Sequence, residues 1–414
     1  MHAILATIGT DGDVFPYLGL GAKLRARGHR VTLATHEPFR ARALDHGFDF
    51  QPLVSDQETR DFLNNPDTWH PLKGPGFLAR WGAGLIGRQV TILADLAKDA
   101  DAVLAASPGV LAARLVQEKM TRPLASILLQ PWMIASVFAP PVMPGGLTLP
   151  TWAPRPFGWL YWRAVDAVGA FLMGGPLQRV RDDLGLPPVR RVFQWWFSPQ
   201  RVLGLFPEWY GKPQPDWPSQ LRLCGFPLYD GSPPGGLSPD VRAFCLEGTP
   251  PIAFTFGTGM IHGAHLFHAA IEACRKLGVR GLLLTKYGQQ LPTSLPSFVR
   301  HCEFAPFQEL LPHCAAIVHH GGIGTVAKAL ATGTPQLILP LAFDQRDNAM
   351  RVKRLGAGDW LPRRRRDGPS MAKALTGLMT PVAREKCRLV AAQFGNDDAL
   401  DVAARWLEEL APTK

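Results

Sequence analysis

The chain has 414 residues, of which 46% are hydrophobic and 19% are charged, so it is long and apolar enough for two or more packed domains and intrinsic disorder is excluded. Its 41 Gly and 39 Pro are scattered without a period, which excludes collagen-like and low-complexity folds. The net charge of +10 is spread over both halves, and its one basic run, residues 363–366, is interpreted as a solvated loop, so no nucleic-acid partner is predicted.

Cysteine spacing and apolar runs indicate a cellular location. The six Cys form no CxxC pair, which argues against a disulfide framework and a zinc site. No signal peptide is predicted, because the opening residues lack a basic segment followed by a long apolar run. The apolar stretches 126–149 and 158–177 are interrupted by four prolines and by two charges, respectively, so neither is predicted to span a bilayer. We expect a cytoplasmic protein and leave open a peripheral contact with the inner face of the membrane.

In chain order, the first half alternates buried strands with helices. An apolar run at 3–8 is followed by a Gly-containing loop, a helical pattern and a second apolar run at 31–35. Similar runs occur at 101–107 and 124–130. Because continuous apolar strands are buried on both faces, we predict an α/β, doubly wound parallel sheet covered by helices.

The second half repeats this architecture after a change in composition. Residues 130–217 hold eight of the twelve Trp and are interpreted as helices and loops built on the first sheet. Strands are predicted at 251–257, 281–285, 315–320 and 335–340, with a helix near 263–277. We therefore expect a first domain at 1–215, a turn-rich linker at 216–236, a second domain at 237–395 and a C-terminal helix at 396–414 that packs back on the first domain. The carboxyl ends of both sets of strands are expected to face a shared cleft.

The most informative motif is IVHHGGIGTVAKALATGTPQLILPLAFDQRDNAMRV, residues 317–352. It places two histidines at a strand end and a tight turn before a helix that starts near Thr325; the glycines that allow this turn are Gly321, Gly322 and Gly324. Unpaired amides and the positive end of the helix dipole predict a diphosphate site, to which His320 adds a hydrogen bond or a charge. The alternative is a Gly-rich bend with core histidines, and His319 fits a core position as well as a ligand position.

These motifs resemble the family 1 nucleotide-sugar glycosyltransferases over nearly the whole chain. GTDGDVFPYLGLGAKLRARGHRVTLAT, residues 9–35, is similar to the opening of bacterial members, and HHGGIGT and DQRDN are similar to the C-terminal signature. The stretches FSPQRVLGLFPEW, QPDWP and CGFPLYDGS look most like the rhamnosyltransferases of rhamnolipid synthesis. The resemblance implies a GT-B fold, with two Rossmann-like domains facing a cleft, the acceptor in the first domain and the donor in the second. It also implies inverting transfer without a metal or a cofactor other than the nucleotide-sugar co-substrate.

The resemblance also implies roles for residues of the second domain. The residues expected to hold the nucleotide and the diphosphate are Thr258, Phe304, His320, Gly322, Gly324 and Thr325. Asp344 and Gln345 are expected to hydrogen-bond the donor sugar. Lys328 stands where plant-type members have a ribose-binding Glu, so a dTDP donor is plausible beside a UDP donor.

In the first domain, the resemblance makes Asp13 the catalytic base. At an ordinary pKa near 3.9 a carboxylate is a weak base, so we expect it to accept the proton late, as the new bond forms. The alternative is that Asp13 only caps the following helix. Asp11 replaces the customary Arg and creates a DGD sequence, but no metal site is predicted, because the turn at His320 supplies the neutralising groups.

The acceptor is expected to be hydrophobic. The Trp residues that suit an acceptor pocket, each with a core position as the alternative, are Trp132, Trp152, Trp159, Trp162, Trp195 and Trp196. Trp132 and His36 are the candidate acceptor-binding residues, although His36 also fits a loop position. The sequence thus predicts transfer of glucose or rhamnose from a UDP- or dTDP-sugar to a lipid or a polyphenol. The alternative is a non-catalytic relative that binds a nucleotide or stabilises a partner, and the sugar, the acceptor and the oligomeric state stay open.

Overall fold

The computed structural model describes residues 1–70, 72–144, 148–150, 152–229, 231 and 236–411. They divide into two compact units, of which the first comprises Met1–Pro227 and Asp397–Lys414 and the second comprises Leu228–Asn396. Each unit contains a parallel sheet covered by helices, which confirms the predicted class of two Rossmann-like α/β domains.

The first unit is built on seven parallel strands within its described residues. These strands are β1 His2–Ala6, β2 Arg30–His36, β3 Asp49–Val54, β4 Ala102–Ala106, β5 Leu124–Leu128, β6 Arg201–Gly204 and β7 Leu221–Leu223. Their order in the sheet is β3-β2-β1-β4-β5-β6-β7. The helices of this unit are α1 Asp11–Ala26, α2 Arg40–Asp45, α3 Asp56–Asn64, α4 Gly74–Leu96, α5 Leu111–Met120, α6 Arg155–Asp183, α7 Val192–Trp195 and, from the end of the chain, α15 Ala399–Glu408.

The second unit is built on six parallel strands within its described residues. These strands are β8 Ile252–Thr255, β9 Gly281–Leu284, β10 Val299–Cys302, β11 Ala316–His319, β12 Gln336–Ile338 and β13 Gly358–Trp360, in the order β10-β9-β8-β11-β12-β13. The helices of this unit are α8 Pro239–Leu246, α9 Ala264–Leu277, α10 Phe307–Leu310, α11 Ile323–Ala331, α12 Gln345–Arg354, α13 Gly368–Leu378 and α14 Pro381–Ala391.

Each sheet reverses its strand order once, and this reversal fixes where a ligand site forms. Strand β1 lies between β2 and β4, and strand β8 lies between β9 and β11. In open parallel sheets, ligands bind beyond the carboxyl ends of the strands at such a reversal. Every residue of β1, β4 and β5 is buried, as expected for strands with helices on both faces.

The unit boundaries differ from the predicted linker. Residues 216–227 belong to the first unit, because β7 pairs with β6 and so extends the first sheet. The chain passes into the second unit at Leu228; Asp230 and residues 232–235 of the predicted linker lie outside the described residues.

The end of the chain returns to the first unit, where α15 packs on α1. Lys23 of α1 donates to Asp401 at 3.0 Å and pairs with Asp398 at 2.9 Å. Residues 412–414 lie outside the described residues. None of the helices in the described ranges has the length and apolar character needed to cross a membrane.

Candidate active site

The loop after β1 fixes one oxygen of Asp13. Thr10 is the N-cap of α1, and its backbone N–H donates to Asp13 Oδ2 at 2.8 Å while its hydroxyl donates to the same oxygen at 3.3 Å. Within the described part of the chain, Asp13 Oδ1 makes no hydrogen bond. Asp13 therefore does stabilise the helix terminus, as the capping alternative expected, and it still presents a second oxygen to a ligand.

The environment of Asp13 changes its acidity. Burial raises the pKa of Asp13 to about 6, against the lowering effect of the two hydrogen bonds from Thr10, and nearby Asp11 raises it further. The expectation of an ordinary, weakly basic carboxylate was therefore wrong. A carboxylate with this pKa is mostly ionised at pH 7 and is a stronger base than a solvated aspartate.

A glycine creates the space that this carboxylate occupies. Gly9 has a φ of +149°, and a Cβ on it would lie 2.2 Å from Asp13 Oδ2. The backbone of the loop thus packs directly on the carboxylate, which leaves no room for a side chain. Gly12, in the first turn of α1, has no neighbouring atom closer than 4.0 Å to its Cβ position.

His36 holds this loop in place. The backbone N–H of Gly9 donates to His36 Nε2 at 2.9 Å, so Nδ1 carries the proton and donates to Thr59 Oγ1 at 2.8 Å. His36 is only 2% exposed, and burial lowers its pKa to about 4, which keeps the ring neutral. Because both ring nitrogens are bonded to the protein, the structure corrects the assignment of His36 as an acceptor-binding residue and makes it a support for the Asp13 loop.

An aromatic cluster that the sequence reasoning missed lies next to His36. The ring of Trp81 is nearly parallel to that of His36, with 6.4 Å between the ring centroids. The centroid of the Phe62 ring lies 4.8 Å from that of Trp81 and 5.8 Å from that of Phe77. All three aromatic side chains are only partly buried. In the sequence, the only sign of this cluster is that Phe77 and Trp81 are one helical turn apart. That spacing does not show that these rings lie next to His36.

The Trp residues of 130–217 do not gather in one pocket. Trp195 donates to Glu118 Oε1 at 2.6 Å. Trp195 and Trp196 both pack against the core, which is the alternative position given for these residues in the sequence analysis. Trp159 and Trp162 line a cavity of about 650 Å³, whereas Trp152 is exposed. Trp132 lies in the turn after β5, where its indole N–H is buried without a hydrogen-bond partner among the described residues; it is not a lining residue of that cavity.

In the second unit, His320 lies between two glycine backbones. A Cβ on Gly322 would lie 2.6 Å from His320 Nε2, and one on Gly257, in the loop after β8, would lie 3.1 Å from the same ring. His320 Nδ1 is buried and has no hydrogen-bond partner in the described ranges. Burial lowers the pKa of His320 to about 4, so this neutral ring offers a hydrogen bond rather than a charge.

The turn beside His320 leads into α11. Gly321 has a φ of +98° and Gly322 is the N-cap of the helix, so the predicted tight turn is present. The amides of Ile323 and Gly324 belong to the first turn, where a helix supplies no acceptor of its own. The Thr325 amide donates to the Gly322 carbonyl at 3.1 Å. The turn and the dipole of α11 thus form a positively polarised end beside the His320 ring.

His319 is a core residue that shapes the turn. It accepts from the Gly321 N–H at Nδ1, at 3.1 Å, and Nε2 then donates to Gln336 Oε1 at 3.0 Å. Burial lowers its pKa to about 3. Of the two readings of His319, the structure supports the core position.

Asp344 and Gln345 begin α12 next to the same turn. Asn348 Nδ2 donates to Asp344 Oδ2 at 2.7 Å and to the Gly321 carbonyl at 3.0 Å, which ties the two loops together. Gln345 Oε1 accepts from the amides of Leu341 and Ala342 at 2.7 and 3.0 Å, so its Nε2 is the group left to donate to a ligand. Asp344 and Gln345 therefore lie beside the His320 turn, and Asn348 is the structural link.

The remaining donor candidates also follow strand ends. Thr258 is exposed in the loop after β8, and the Tyr287 hydroxyl donates to its carbonyl at 2.9 Å. Phe304 follows β10 and is 43% exposed. All of these positions lie at the carboxyl edge of the second sheet, although Phe304 follows the edge strand, two strands from β8. Lys328 is buried in α11. In the part of the chain that is described, no group of three or more His, Cys, Asp or Glu side chains could hold a metal ion.

Both halves of the chain match known protein families. Residues 3–139 match the glycosyltransferase family 28 N-terminal domain, and residues 283–404 match the C-terminal domain of the erythromycin biosynthesis protein CIII-like family. The glycosyltransferase GtfE of Amycolatopsis orientalis is 30% identical over 425 residues, which cover 97% of this chain and 96% of that protein. The O-mycaminosyltylonolide 6-deoxyallosyltransferase of Streptomyces fradiae is 28% identical over 439 residues, or 99% and 98% of the two chains.

Other relatives and solved structures extend this comparison. The sterol 3-beta-glucosyltransferase of Aspergillus fumigatus is 29% identical over 383 residues, which cover 85% of this chain and 26% of that protein. The structure of the glycotransferase of kitacinnamycin has a TM-score of 0.73 at 19% identity, and the match covers 99% of both chains. The glycosyltransferase VinC, solved in complex with dTDP, has a TM-score of 0.69 at 17% identity, again over 99% of both chains. These structures share the fold of two parallel-sheet domains.

The match to the glycosyltransferase GtfE over nearly the full length of both proteins decides the family to which this protein belongs. It agrees with the two family matches at the two ends of the chain and with the two parallel-sheet units. It favours an enzyme over the non-catalytic alternative. The chain belongs to the GT-B glycosyltransferases.

Proposed function

We propose that this glycosyltransferase inverts the anomeric carbon and moves a sugar from a UDP- or dTDP-linked donor to a hydroxyl of a hydrophobic acceptor, without a metal. The observation that carries the proposal is the buried, unpartnered Nδ1 of His320 beside the first turn of α11. A neutral imidazole donor, open amides and a helix dipole together suit the diphosphate of a nucleotide sugar. The same groups stabilise the negative charge that develops on the leaving diphosphate.

In the proposed reaction, Asp13 is the base. The acceptor hydroxyl oxygen attacks the anomeric carbon while its proton passes to Asp13 Oδ1. The bond from the anomeric carbon to the diphosphate oxygen breaks, and its electron pair leaves with the nucleoside diphosphate. Attack from the face opposite the leaving group inverts the configuration. The pKa of about 6 at Asp13 supports this role, because the carboxylate is ionised at pH 7 and binds a proton more tightly than a solvated aspartate.

The donor contacts follow from the positions around His320. We assign the hydrogen bonds to sugar hydroxyls to Asp344 and to Gln345 Nε2, and we assign stacking on the pyrimidine to Phe304, whose ring is exposed. Thr258 adds a hydroxyl near the diphosphate. Glucose and rhamnose, linked to UDP or dTDP, are the sugars we propose.

The acceptor is proposed to be a large apolar alcohol or phenol. The named relatives act on a tylonolide derivative and on sterols, which supports a hydrophobic class of acceptor. The aromatic cluster of Phe62, Phe77 and Trp81 adjoins the His36 support of the Asp13 loop and is the apolar wall we assign to it. Trp132 remains a proposed acceptor contact through its unpartnered indole N–H. We propose a cytoplasmic enzyme that meets such acceptors at the inner face of the membrane.

Calorimetric titration of UDP and dTDP in the presence of EDTA tests the donor site. We expect the wild type to bind at least one nucleotide and His320→Ala to weaken that binding by roughly 10- to 100-fold, as expected for one hydrogen bond to a charged group. His268→Ala removes an exposed histidine of the same unit and serves as the control, with unchanged affinity. Equal affinity of His320→Ala and the wild type would move the diphosphate site away from α11.

A further inference from the structure

Helix α6 carries apolar residues on an inner face and on an outer face, but only the inner face is buried. Its inner face packs on α4 and includes Met173 and Leu177. The outer face carries a row of exposed residues, called here the α6 stripe: Phe157, Leu160, Ala164, Val168 and Phe171. An apolar face of a helix is normally packed against the rest of its protein. The α6 stripe therefore lacks a partner among the described residues.

The geometry of the α6 stripe is that of one continuous surface. The successive spacings of three and four residues keep all five side chains on the same face of the helix. The stripe extends over about 21 Å from Phe157 to Phe171, at 1.5 Å per residue. Phe171 is 87% exposed, and Trp152, just before the helix, is 82% exposed. A contiguous apolar surface that includes Trp and Phe indicates an interaction site.

The exposed charges along the α6 stripe itself are basic. Between Trp152 and Phe171, the exposed charged residues are Arg155 and Arg163; beyond the stripe, the end of α6 holds the exposed Arg179 together with the exposed Asp182 and Asp183. The acidic residue of this segment, Asp166, is buried on the inner face and accepts from the Phe193 N–H at 3.0 Å. An anionic surface complements this pattern, whereas a second copy of the same face would bring arginines close to one another.

We propose that the α6 stripe is the surface by which this enzyme docks on an anionic phospholipid membrane. The helix lies in the plane of the interface, the apolar residues enter the boundary between headgroups and acyl chains, and the arginines pair with lipid phosphates. The helix does not cross the bilayer. This inference rests on the proposed function. Apolar acceptors concentrate in lipid, so an enzyme that docks on a membrane meets them there.

Co-sedimentation with vesicles tests the docking surface without any donor or acceptor. We compare vesicles of phosphatidylcholine with vesicles of equal parts phosphatidylcholine and phosphatidylglycerol. The wild type is expected to bind the anionic vesicles. Phe157→Glu/Phe171→Glu is expected to bind them about tenfold or more weakly, because two aromatic side chains that enter the membrane are replaced by carboxylates, which the anionic lipids repel. The matched control is Val382→Glu/Leu389→Glu, which places the same charges on comparably exposed apolar residues of α14 and leaves binding unchanged.

A second pair of variants separates charge from apolar contact. Arg155→Gln/Arg163→Gln is expected to reduce the preference for phosphatidylglycerol and the dependence of binding on salt. All replaced side chains are exposed, so an unchanged melting temperature shows that each variant is folded.

Three outcomes overturn the docking proposal. They are no vesicle binding by the wild type, equal binding by the stripe variant and the wild type, and a wild-type dimer in sedimentation velocity that Phe157→Glu/Phe171→Glu converts to a monomer. The last outcome would make the stripe an interface between copies. Transfer to a water-soluble acceptor is measured in parallel. If vesicle binding fails while transfer persists, only the docking surface is wrong; if transfer fails while vesicle binding persists, only the proposed function is wrong.

Discussion

Asp13→Asn is the substitution that separates the catalytic role of Asp13 from its structural role. In the wild type, Asp13 Oδ2 accepts a hydrogen bond from the Thr10 N–H at 2.8 Å. The amide of Asn has the same size as the carboxylate and keeps an oxygen that can accept this hydrogen bond. It removes the ability to take a proton. Since general bases contribute roughly 100- to 10,000-fold to rate, we expect kcat to fall by about that factor while nucleotide affinity is unchanged.

The pKa of Asp13 sets the pH dependence of the wild type. Because burial raises it to about 6, the carboxylate is protonated below that pH and ceases to act as a base. We expect kcat/KM to fall about tenfold per pH unit below pH 6 in the wild type. The residual activity of Asp13→Asn should lack this fall.

The same pKa predicts an effect on stability. The pKa of Asp13 rises on folding from its ordinary 3.8 to about 6, so the folded state binds more protons than the unfolded state between these values. The free energy of unfolding therefore falls as the pH rises through this window. Two pKa units set an upper limit of about 3 kcal/mol, and partial exposure of Asp13 reduces our expectation to about 1 kcal/mol.

Steady-state kinetics and urea denaturation at several pH values test both effects in the same two proteins. We expect the stability of Asp13→Asn relative to the wild type to increase by about 1 kcal/mol between pH 4 and pH 7.5. Wild-type turnover by Asp13→Asn would refute the catalytic assignment. A wild-type rate profile that stays flat down to pH 5 would refute the raised pKa.

Three further substitutions test the environment of the site. Gly9→Ala places a Cβ 2.2 Å from the present position of Asp13 Oδ2 and should remove most activity in a transfer assay, whereas Gly12→Ala, in the first turn of α1, should remain active. His36→Ala leaves the half-buried Gly9 N–H without its acceptor, and calorimetry should show a loss of roughly 1–3 kcal/mol of stability; an unchanged melting temperature would contradict the supporting role of His36. Phe304→Ala should weaken the affinity for UDP and dTDP about tenfold, as expected from the loss of stacking on a base, while Phe304→Tyr should bind as the wild type does.

The buried apolar strands could be predicted from the sequence, whereas strands at the sheet edges were missed. Continuous apolar runs identify strands such as β1, β5 and β8, which lie inside the sheets. The strands that the sequence analysis missed include β7, β10 and β13, which lie at sheet edges and contain the polar residues Arg222, His301 and Asp359. An edge strand has a neighbour on one side only, so its residues need not form an apolar run.

The chain positions of the candidate site could also be predicted, because glycine-rich turns and strand ends are visible in the sequence. The acidity of Asp13, the hydrogen bonds of His36 and the cluster around Trp81 could not. The acidity of Asp13 depends on its burial in the folded chain. The other two depend on contacts between residues far apart in the chain, such as the bond from Gly9 to His36 and the stacking of His36 with Trp81. Residue type and spacing do not determine such contacts.

The most direct test of the proposed reaction is a transfer assay in EDTA, followed by mass spectrometry and by NMR of the anomeric centre. UDP-glucose and dTDP-rhamnose are offered separately with a hydroxylated fatty ester, a sterol or a flavonoid. We predict a glycosylated product with at least one donor, of inverted anomeric configuration, formed by the wild type and at a greatly reduced rate by Asp13→Asn. A product of retained configuration, or transfer that requires an added divalent cation, would contradict the account.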